Sequence, residues 1–336
     1  MNKIVLKTNS FLKILNLLLV LFLFLFLSSC SETLQPLDEQ PDFEYPNITP
    51  VEYIKLKAVS PIEDKYILSD TTLLNNHGFI FYVIPDKNDF DLFISNKNPF
   101  QVSIFLKDST INMQADVEMP VVAILDLNTT YFITHYSILD TATAYKKVEW
   151  PEFGYCYGSL AANHNNSYCY TLPYAKNESH VIGQGYNSSF THNGYGAFSL
   201  DFLMPIGTKL YAARDGIVAQ VVEKFTEHGI DDYFLDKTNG IIIAHDDGTI
   251  ADYGHIRYNG AAVEKGQYVK KGQFIGFSGE VGYTNIPHLH FSVMVPISPF
   301  PGDQYQSVPT FFTTKEGNKI YLKEGYSYTS ITNIIE

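Results

Sequence analysis

The sequence contains few cysteines and few charged residues. The first shortage argues against a cysteine-based zinc site, and the second against long disordered tracts. Only three of its 336 residues are cysteines, namely Cys30, Cys156 and Cys169. The last two lack the close spacing that a cysteine-based zinc site requires. Charged residues make up 18% of the chain and hydrophobic residues 45%. This balance excludes long disordered tracts outside a short linker.

Positive charge is scarcer than negative charge. The chain has 23 lysines and arginines against 36 acidic residues, a net charge of −13. Residues 1–29 carry three lysines and no acid, so without them the net charge falls to −16. Such an excess of negative charge argues against electrostatic binding of nucleic acid or of an anionic membrane surface.

A helical pattern is also missing. Between residues 51 and 150, no stretch of helix length repeats its apolar residues every 3.6 positions. Strand-like apolar runs occupy residues 79–84 and 121–125, and apolar residues alternate from Phe100 to Leu106 as in a half-buried strand. We predict an all-β protein in which residues 51–150 form a β-sandwich-like domain, followed by a C-terminal domain over residues 151–336.

The N-terminal thirty residues have the pattern of a secretory signal. A basic head with Lys3, Lys7 and Lys13 precedes an apolar run that is too short for a comfortable membrane span. The run ends in Leu-Ser-Ser-Cys, which resembles the bacterial lipobox and makes Cys30 the predicted lipidation site. An ordinary signal peptide or membrane anchor is the alternative.

Residues 31–50 combine four prolines with five acidic residues. Proline and like charges keep such a segment extended, so we predict a tether between a lipid anchor and the folded body. The predicted location is therefore the bacterial cell envelope, with the protein attached to a membrane through lipid at Cys30.

In an exported protein, Cys156 and Cys169 are candidates for a disulfide. Closing so short a loop would stabilise the fold by about 3 kcal/mol in the chain-entropy model. We therefore predict that these two cysteines are paired.

The strongest chemical signal is the segment Pro-His-Leu-His-Phe at residues 287–291. Residues i and i+2 of a strand point to the same face, so His288 and His290 would project together. One imidazole could then bind a metal while the other serves as an acid or base. A His-x-His pair on a strand is common, so the rest of the sequence is needed to tell whether this pair has a function.

These surroundings form an ordered set of landmarks. His192 precedes an Asp at position 201 between two apolar residues, and a Tyr-Gly-His segment at 253–255 follows further along. A near repeat of Lys-Gly-Gln at 265–267 and 271–273 leads into Ser-Gly at 278–279. In this order, residues 183–295 resemble the lysostaphin-type (LytM-domain) zinc metallopeptidase family.

The resemblance implies a role for each landmark. The zinc ligands would be His192, Asp201 and His290, and the catalytic residues would be His255 and His288. It also implies an antiparallel β-sheet domain with its site in a groove, and a target in the peptide cross-links of peptidoglycan. Eight residues separate His192 from Asp201, against three in the compact form of the family, which leaves His180 as a rival first ligand.

The chemistry of these residue types agrees with that assignment. Two imidazoles and a carboxylate give zinc three protein ligands and leave a fourth position open, as in catalytic rather than structural sites. Either remaining imidazole can take a proton from water and deliver it to a leaving amine. The sequence does not distinguish the role of His255 from that of His288.

Two alternative functions remain possible from the sequence. The chain could be a catalytically inactive LytM-like module that binds or regulates during cell-wall remodelling, or a zinc hydrolase that acts on a different peptide. The presence of all five landmark residues favours catalysis, since inactive members of the family usually lack several. The sequence leaves the bond cleaved, the oligomeric state and any occlusion of the site by the N-terminal domain undetermined.

Overall fold

The computed structural model describes residues 47–68, 77–302, 304–333 and 335. The predicted signal peptide, Cys30 and residues 31–46 of the predicted tether lie outside these ranges, so the predictions made for them stay predictions. No helix within the described ranges has both the length and the apolar character needed to cross a bilayer. The helical content of these ranges is limited to three short 3₁₀ turns, Asp64–Tyr66, Gly194–Gly196 and Asp232–Phe234.

The N-terminal part is built from eight strands. They are β1 Lys57–Val59, β2 Phe79–Asp86, β3 Asp89–Asn96, β4 Val102–Ile111, β5 Met113–Ala115, β6 Val121–Leu125, β7 Thr129–Ile138 and β8 Lys147–Tyr157. One sheet has the order β1-β7-β3-β2 with β5 paired to β7, and a second has the order β6-β4-β8. Side chains from both sheets meet in one core that contains Phe81, Ile94, Ile104 and Ala123. This is the predicted β-sandwich.

The C-terminal part contributes sixteen further strands in the described ranges. They are β9 Cys169–Thr171, β10 Ser179–Gln184, β11 Leu200–Leu203, β12 Lys209–Tyr211, β13 Gly216–Val222, β14 His228–Gly229, β15 Gly240–Ala244, β16 Ile250–Gly254, β17 Ile256–Ala261, β18 Tyr268–Val269, β19 Phe274–Ser278, β20 Gly282–Tyr283, β21 His288–Pro296, β22 Tyr305–Ser307, β23 Phe311–Thr313 and β24 Ser327–Thr329. Nine of them form a sheet of order β18-β13-β15-β16-β21-β11-β10-β24, with β22 paired to β21. All pairs in this sheet are antiparallel, as predicted.

Each face of this sheet has a different environment because side chains alternate along a strand. One face carries Phe202, Ile243, Tyr253 and Phe291, which are buried in a large aromatic and aliphatic core. The opposite face carries Asp201 and His290, and we call it the site face. At its other end, Ile242 and other apolar residues pack against the core of the N-terminal sandwich. The N-terminal sandwich therefore covers one end of the site face and leaves the end with Asp201 and His290 uncovered.

Several predicted strands are confirmed, with differences at their edges and faces. The run at 79–84 is β2, and the run at 121–125 is β6. The alternation in β4 does not mark a half-buried strand, because Ser103 and Phe105 on its second face are also buried. Phe105 packs with Leu160 and against Phe300 there, which are distant in sequence.

The C-terminal strands are divided between two sheets. β23 pairs in parallel with β9 in a separate two-stranded sheet. One edge of the nine-stranded sheet is formed by β24, which pairs with β10. The boundary predicted at residue 150 stays a prediction, although β8 continues through it to Tyr157.

The predicted disulfide is corrected by the structure, in which both cysteines are free thiols. Cys156 lies in β8 opposite Ser103 of β4, and Cys169 lies in β9 opposite Phe311 of β23. The two thiols thus belong to strands of different sheets. Burial raises the pKa of the Cys156 thiol to about 12, so this cysteine behaves as a small buried apolar residue.

Candidate metal and catalytic site

The centre of the site is a cross-strand pair formed by Asp201 and His290. These residues are opposite each other in the antiparallel ladder of β11 and β21. Their chain neighbours, including Phe202 and Leu289, are fully buried on the opposite face, which fixes both polar side chains on the site face. His290 Nδ1 donates to Asp201 Oδ1 at 3.0 Å.

A loop between β10 and β11 brings His192 to the same carboxylate. This histidine is 1% exposed, and its Nδ1 donates to the backbone carbonyl of Gly185 at 3.1 Å. Its Nε2 lies 3.2 Å from Asp201 Oδ1. His192 and Asp201 therefore lie together in the structure, although eight residues separate them in the sequence.

His255 and His288 lie beside this group. His255 occupies the single position between β16 and β17, with a φ of 62° in the left-handed region that favours glycine. Its Nδ1 donates to the carbonyl of Val281 at 2.8 Å, and His288 Nδ1 donates to the carbonyl of Ile286 at 2.8 Å. The two imidazole rings are 4.6 Å apart between centroids. His288 Nε2 is 3.5 Å from Asp201 Oδ1.

These contacts set the tautomers of three histidines. His192, His255 and His288 each use Nδ1–H to donate to a backbone carbonyl, so the Nε2 atom of each neutral ring carries a lone pair. The site thus contains three Nε2 atoms that carry no proton.

The residues present fit a metal ion. His192, Asp201 and His290 each offer one ligand atom, and these atoms lie within 4.8 Å of one another. His192 Nε2 is buried and makes no hydrogen bond, although a carboxylate oxygen faces it at 3.2 Å. Two lone-pair atoms in this arrangement need a cation or a proton between them. Two imidazoles and one carboxylate are also a donor set that zinc accepts.

Burial and neighbouring residues shift the pKa values of three groups in the site. Burial raises the pKa of Asp201, but the neighbouring imidazoles of His192 and His290 outweigh it and hold the pKa well below its usual range. Burial, together with the neighbouring His288, lowers the pKa of His255 to about 3. Burial also lowers the pKa of His288. Asp201 is therefore ionised at neutral pH, while His255 and His288 are neutral.

The site opens into a cavity of about 370 Å³. Its walls include Phe190, which is 61% exposed, and Ile286, which is 46% exposed. All thirteen residues that line the cavity come from residues 183–290. Within the described chain, the N-terminal sandwich therefore contributes no lining to this cavity.

Three other histidines of the C-terminal part lie elsewhere. His180, the rival first ligand, lies in β10, where its Nδ1 donates to the carbonyl of Leu203 and its ring packs against Tyr174. His245 donates to the carbonyl of Asp215. His228 has a side chain that is 47% exposed. None of the three belongs to the three-ligand group.

The groups that orient His255 and His288 could not be identified from the sequence. The carbonyls of Val281 and Ile286 accept their Nδ1–H groups, and Thr284 Oγ1 lies 3.3 Å from His288 Nδ1. Backbone carbonyls leave no residue-type signal, so no pattern could identify them. Thr284 stands four residues before His288, a spacing that had no meaning until β20 and β21 were placed.

An all-β fold with two histidines and a carboxylate around one point, and two neutral histidines beside them, defines the metallopeptidase class of site. Residues 195–304 match the family model described as Peptidase family M23. These residues therefore form a Peptidase M23 domain, and the chain is similar in sequence to lysostaphin and to ShyA.

Two curated relatives illustrate the match. Lysostaphin from Staphylococcus simulans is 33% identical over 196 residues, which cover 52% of this chain and 36% of lysostaphin. The peptidoglycan DD-endopeptidase ShyA from Vibrio cholerae is 36% identical over 104 residues, which cover 31% of this chain and 20% of ShyA. The chain therefore spans about a third or less of the length of these relatives.

Among solved structures, the catalytic domain of lysostaphin from Staphylococcus simulans is 30% identical to this chain. The match covers 39% of this chain and 87% of that domain, with a TM-score of 0.26.

Proposed function

We propose that this protein is a zinc-dependent endopeptidase that hydrolyses the peptide cross-links of peptidoglycan. The observation that carries the proposal is the convergence of His192, Asp201 and His290 within 4.8 Å, with His255 and His288 next to them. Relatives named as a peptidoglycan endopeptidase and as lysostaphin support the substrate class.

His192, Asp201 and His290 would hold the zinc ion. When bound, zinc supplies a Lewis acid and lowers the pKa of a coordinated water to about 7. His255 and His288 each present an unprotonated Nε2 to the cavity, which can accept a proton during attack on the peptide carbonyl and deliver it to the leaving amine. The hydrogen bonds to Val281 and Ile286 keep both rings in the tautomer that this role requires.

The first test measures metal content and cell-wall hydrolysis together. The chain from residue 31 onward is expected to bind one zinc per molecule and to release soluble fragments from purified sacculi. His290→Ala is expected to lose both, because a site with two remaining ligands no longer matches the three-ligand pattern of catalytic zinc. His228→Ala, at a partly exposed histidine outside the site, is the control and should retain both.

The possible results separate the candidate functions. Zinc binding and fragment release that are both lost in His290→Ala support the endopeptidase. Zinc binding without cleavage of sacculi supports a non-catalytic module or a different peptide substrate. A protein that binds no zinc and cleaves nothing contradicts the proposal.

We also propose that the enzyme is anchored in the bacterial cell envelope by lipid at Cys30, with residues 31–50 as the tether. Support comes from the basic head, the short apolar run and the Leu-Ser-Ser-Cys sequence. Expressed in a bacterium, the full chain should partition with membranes, and Cys30→Ser should lose lipid labelling. Equal labelling of the two proteins by a radioactive fatty acid would refute lipidation at this residue.

A further inference from the structure

A second cavity, of about 520 Å³, lies between the N-terminal sandwich and the C-terminal part. The sandwich contributes Phe100, Gln101 and Leu127 to its lining, and the C-terminal part contributes residues in or next to β13, β15 and β18. It shares no lining residue with the cavity at the three-ligand group. Small-molecule sites usually have volumes of about 300–1,000 Å³ and are frequent at domain interfaces. This cavity is therefore a candidate binding site separate from the metal site.

Every charged side chain in the lining of this cavity already has a partner. The buried Arg214 donates from Nη2 to Asp246 Oδ1 and from Nη1 to Asp247 Oδ2, both at 2.6 Å. Asp215 accepts from the backbone N–H of Lys271. An anion would meet the carboxylates of Asp215 and Asp246, and a cation would meet the guanidinium of Arg214. The lining therefore favours a ligand without charge.

His245 supplies a buried hydrogen-bond acceptor in the same lining. The residue is 6% exposed, and its Nδ1 donates to the backbone carbonyl of Asp215 at 2.8 Å. Burial and the nearby Arg214 lower the pKa of the ring, so it is neutral at neutral pH and its Nε2 carries a lone pair. In the part of the chain that the structure describes, this Nε2 has no hydrogen-bond partner. A buried acceptor of this kind calls for a donor that the protein itself does not supply.

Two large side chains give the lining an exposed apolar surface. Tyr268 of β18 is 55% exposed, and Leu127 of the sandwich is 51% exposed. Phe100, Ile217 and Ala244 complete the apolar part of the lining. A tyrosine ring offers a large, rigid face for stacking and a hydroxyl group at its edge. The cavity thus combines apolar surface with hydrogen-bonding groups whose charges are already paired.

We propose that this cavity binds an uncharged saccharide of the glycan strands that carry the peptide cross-links of peptidoglycan. The inference rests on the proposed function and extends it to a second part of the same polymer. A pyranose ring has an apolar C–H face that can stack on Tyr268. Its hydroxyl groups are donors and acceptors at once, so they can donate to His245 Nε2 and to the side-chain carbonyl of Gln101.

The position of the cavity suits a polymer whose peptide is cleaved at the three-ligand group. Ala244 pairs with Ile250 in the β15–β16 ladder, and Gly254, four residues further along β16, pairs with His290 of β21. Four residues of strand and two spacings between strands place Ala244 about 16 Å from His290. Five extended residues span about 17 Å. The distance between the two sites is therefore similar to the length of a short peptide attached to a sugar.

The test measures binding of tri-N-acetylglucosamine, an uncharged oligosaccharide, by isothermal titration calorimetry. The zinc-loaded full chain is studied in micelles of a detergent without a sugar headgroup, as wild type, Tyr268→Ala and Leu127→Ala. Tyr145→Ala is the matched control, because Tyr145 is 60% exposed and lies outside the cavity lining. His290→Ala shows whether binding depends on the three-ligand group. A peptide without sugar is titrated as a second ligand, and release of fragments from sacculi is measured in parallel.

Wild type, Tyr145→Ala and His290→Ala are expected to bind the saccharide equally, and Tyr268→Ala about tenfold more weakly, because it loses an aromatic stacking contact. Leu127→Ala should also weaken binding. The proposal is overturned if wild type does not bind, if Tyr268→Ala binds as wild type does, or if His290→Ala loses binding. Preference for the sugar-free peptide that Tyr268→Ala abolishes would assign the cavity to peptide instead. Cleavage of sacculi without saccharide binding refutes the cavity site alone, whereas saccharide binding without cleavage supports that site and counts against the endopeptidase.

Discussion

Replacing His255 by alanine is expected to lower turnover of cross-linked peptide by about 10²–10⁴-fold, the usual contribution of a positioned acid–base group. The protein should nevertheless retain its zinc. His255 lies outside the three-ligand group, with its ring 4.6 Å from that of His288 and 6.1 Å from that of His290. Removing it deletes a neutral Nε2 at the cavity and leaves His192, Asp201 and His290 in place.

The measurement combines zinc content with kcat on a soluble cross-linked fragment. His135→Ala is the matched control, because His135 lies in β7 of the N-terminal sandwich and pairs with Asp91 there. It should keep normal turnover. Loss of zinc in His255→Ala would place His255 among the ligands, and unchanged turnover with zinc retained would assign the acid–base role to His288 alone.

The expected loss has a structural reason beyond the missing nitrogen. His255 adopts a φ of 62° in the one-residue turn between β16 and β17. Residues held in such sparsely populated conformations concentrate at functional sites. Burial lowers the pKa of its ring to about 3, so the imidazole is neutral at neutral pH and its Nε2 keeps a lone pair.

The candidate site was largely predictable because its members carry strong local patterns. Asp201 and His290 stand between apolar residues on short strands, and alternation alone places them on the face away from the core. That they are directly opposite each other was not predictable, since register between β11 and β21 depends on residues 89 positions apart. The resemblance to a family implied only that the two residues bind the same metal ion.

Other features depended on contacts that no local pattern contains. Phe105 is buried by Leu160 and Phe300, and Cys156 and Cys169 lie in separate sheets, so both the half-buried strand and the disulfide were wrong inferences from spacing.

Phe291→Ala is expected to destabilise the protein by about 3–5 kcal/mol, the usual cost of deleting a buried phenylalanine. Phe291 is 1% exposed, and its ring centroid lies 5.2 Å from that of Tyr253 and 6.0 Å from that of Phe312. The loss combines the apolar area removed from the core with the cavity left behind. The free energy of unfolding of a domain is usually about 5–15 kcal/mol, so this one change would remove a large part of it.

Urea unfolding followed by tyrosine fluorescence measures the effect, with Phe190→Ala as the matched control. Phe190 is 61% exposed at the cavity rim, so its truncation should change stability by no more than about 0.5 kcal/mol. Phe291→Leu, which keeps an apolar side chain, should cost less than Phe291→Ala. Because Phe291 directly follows His290 in β21, a core that tolerated alanine there would mean that the position of this ligand is set by the ladder with β11 rather than by the aromatic core beneath it.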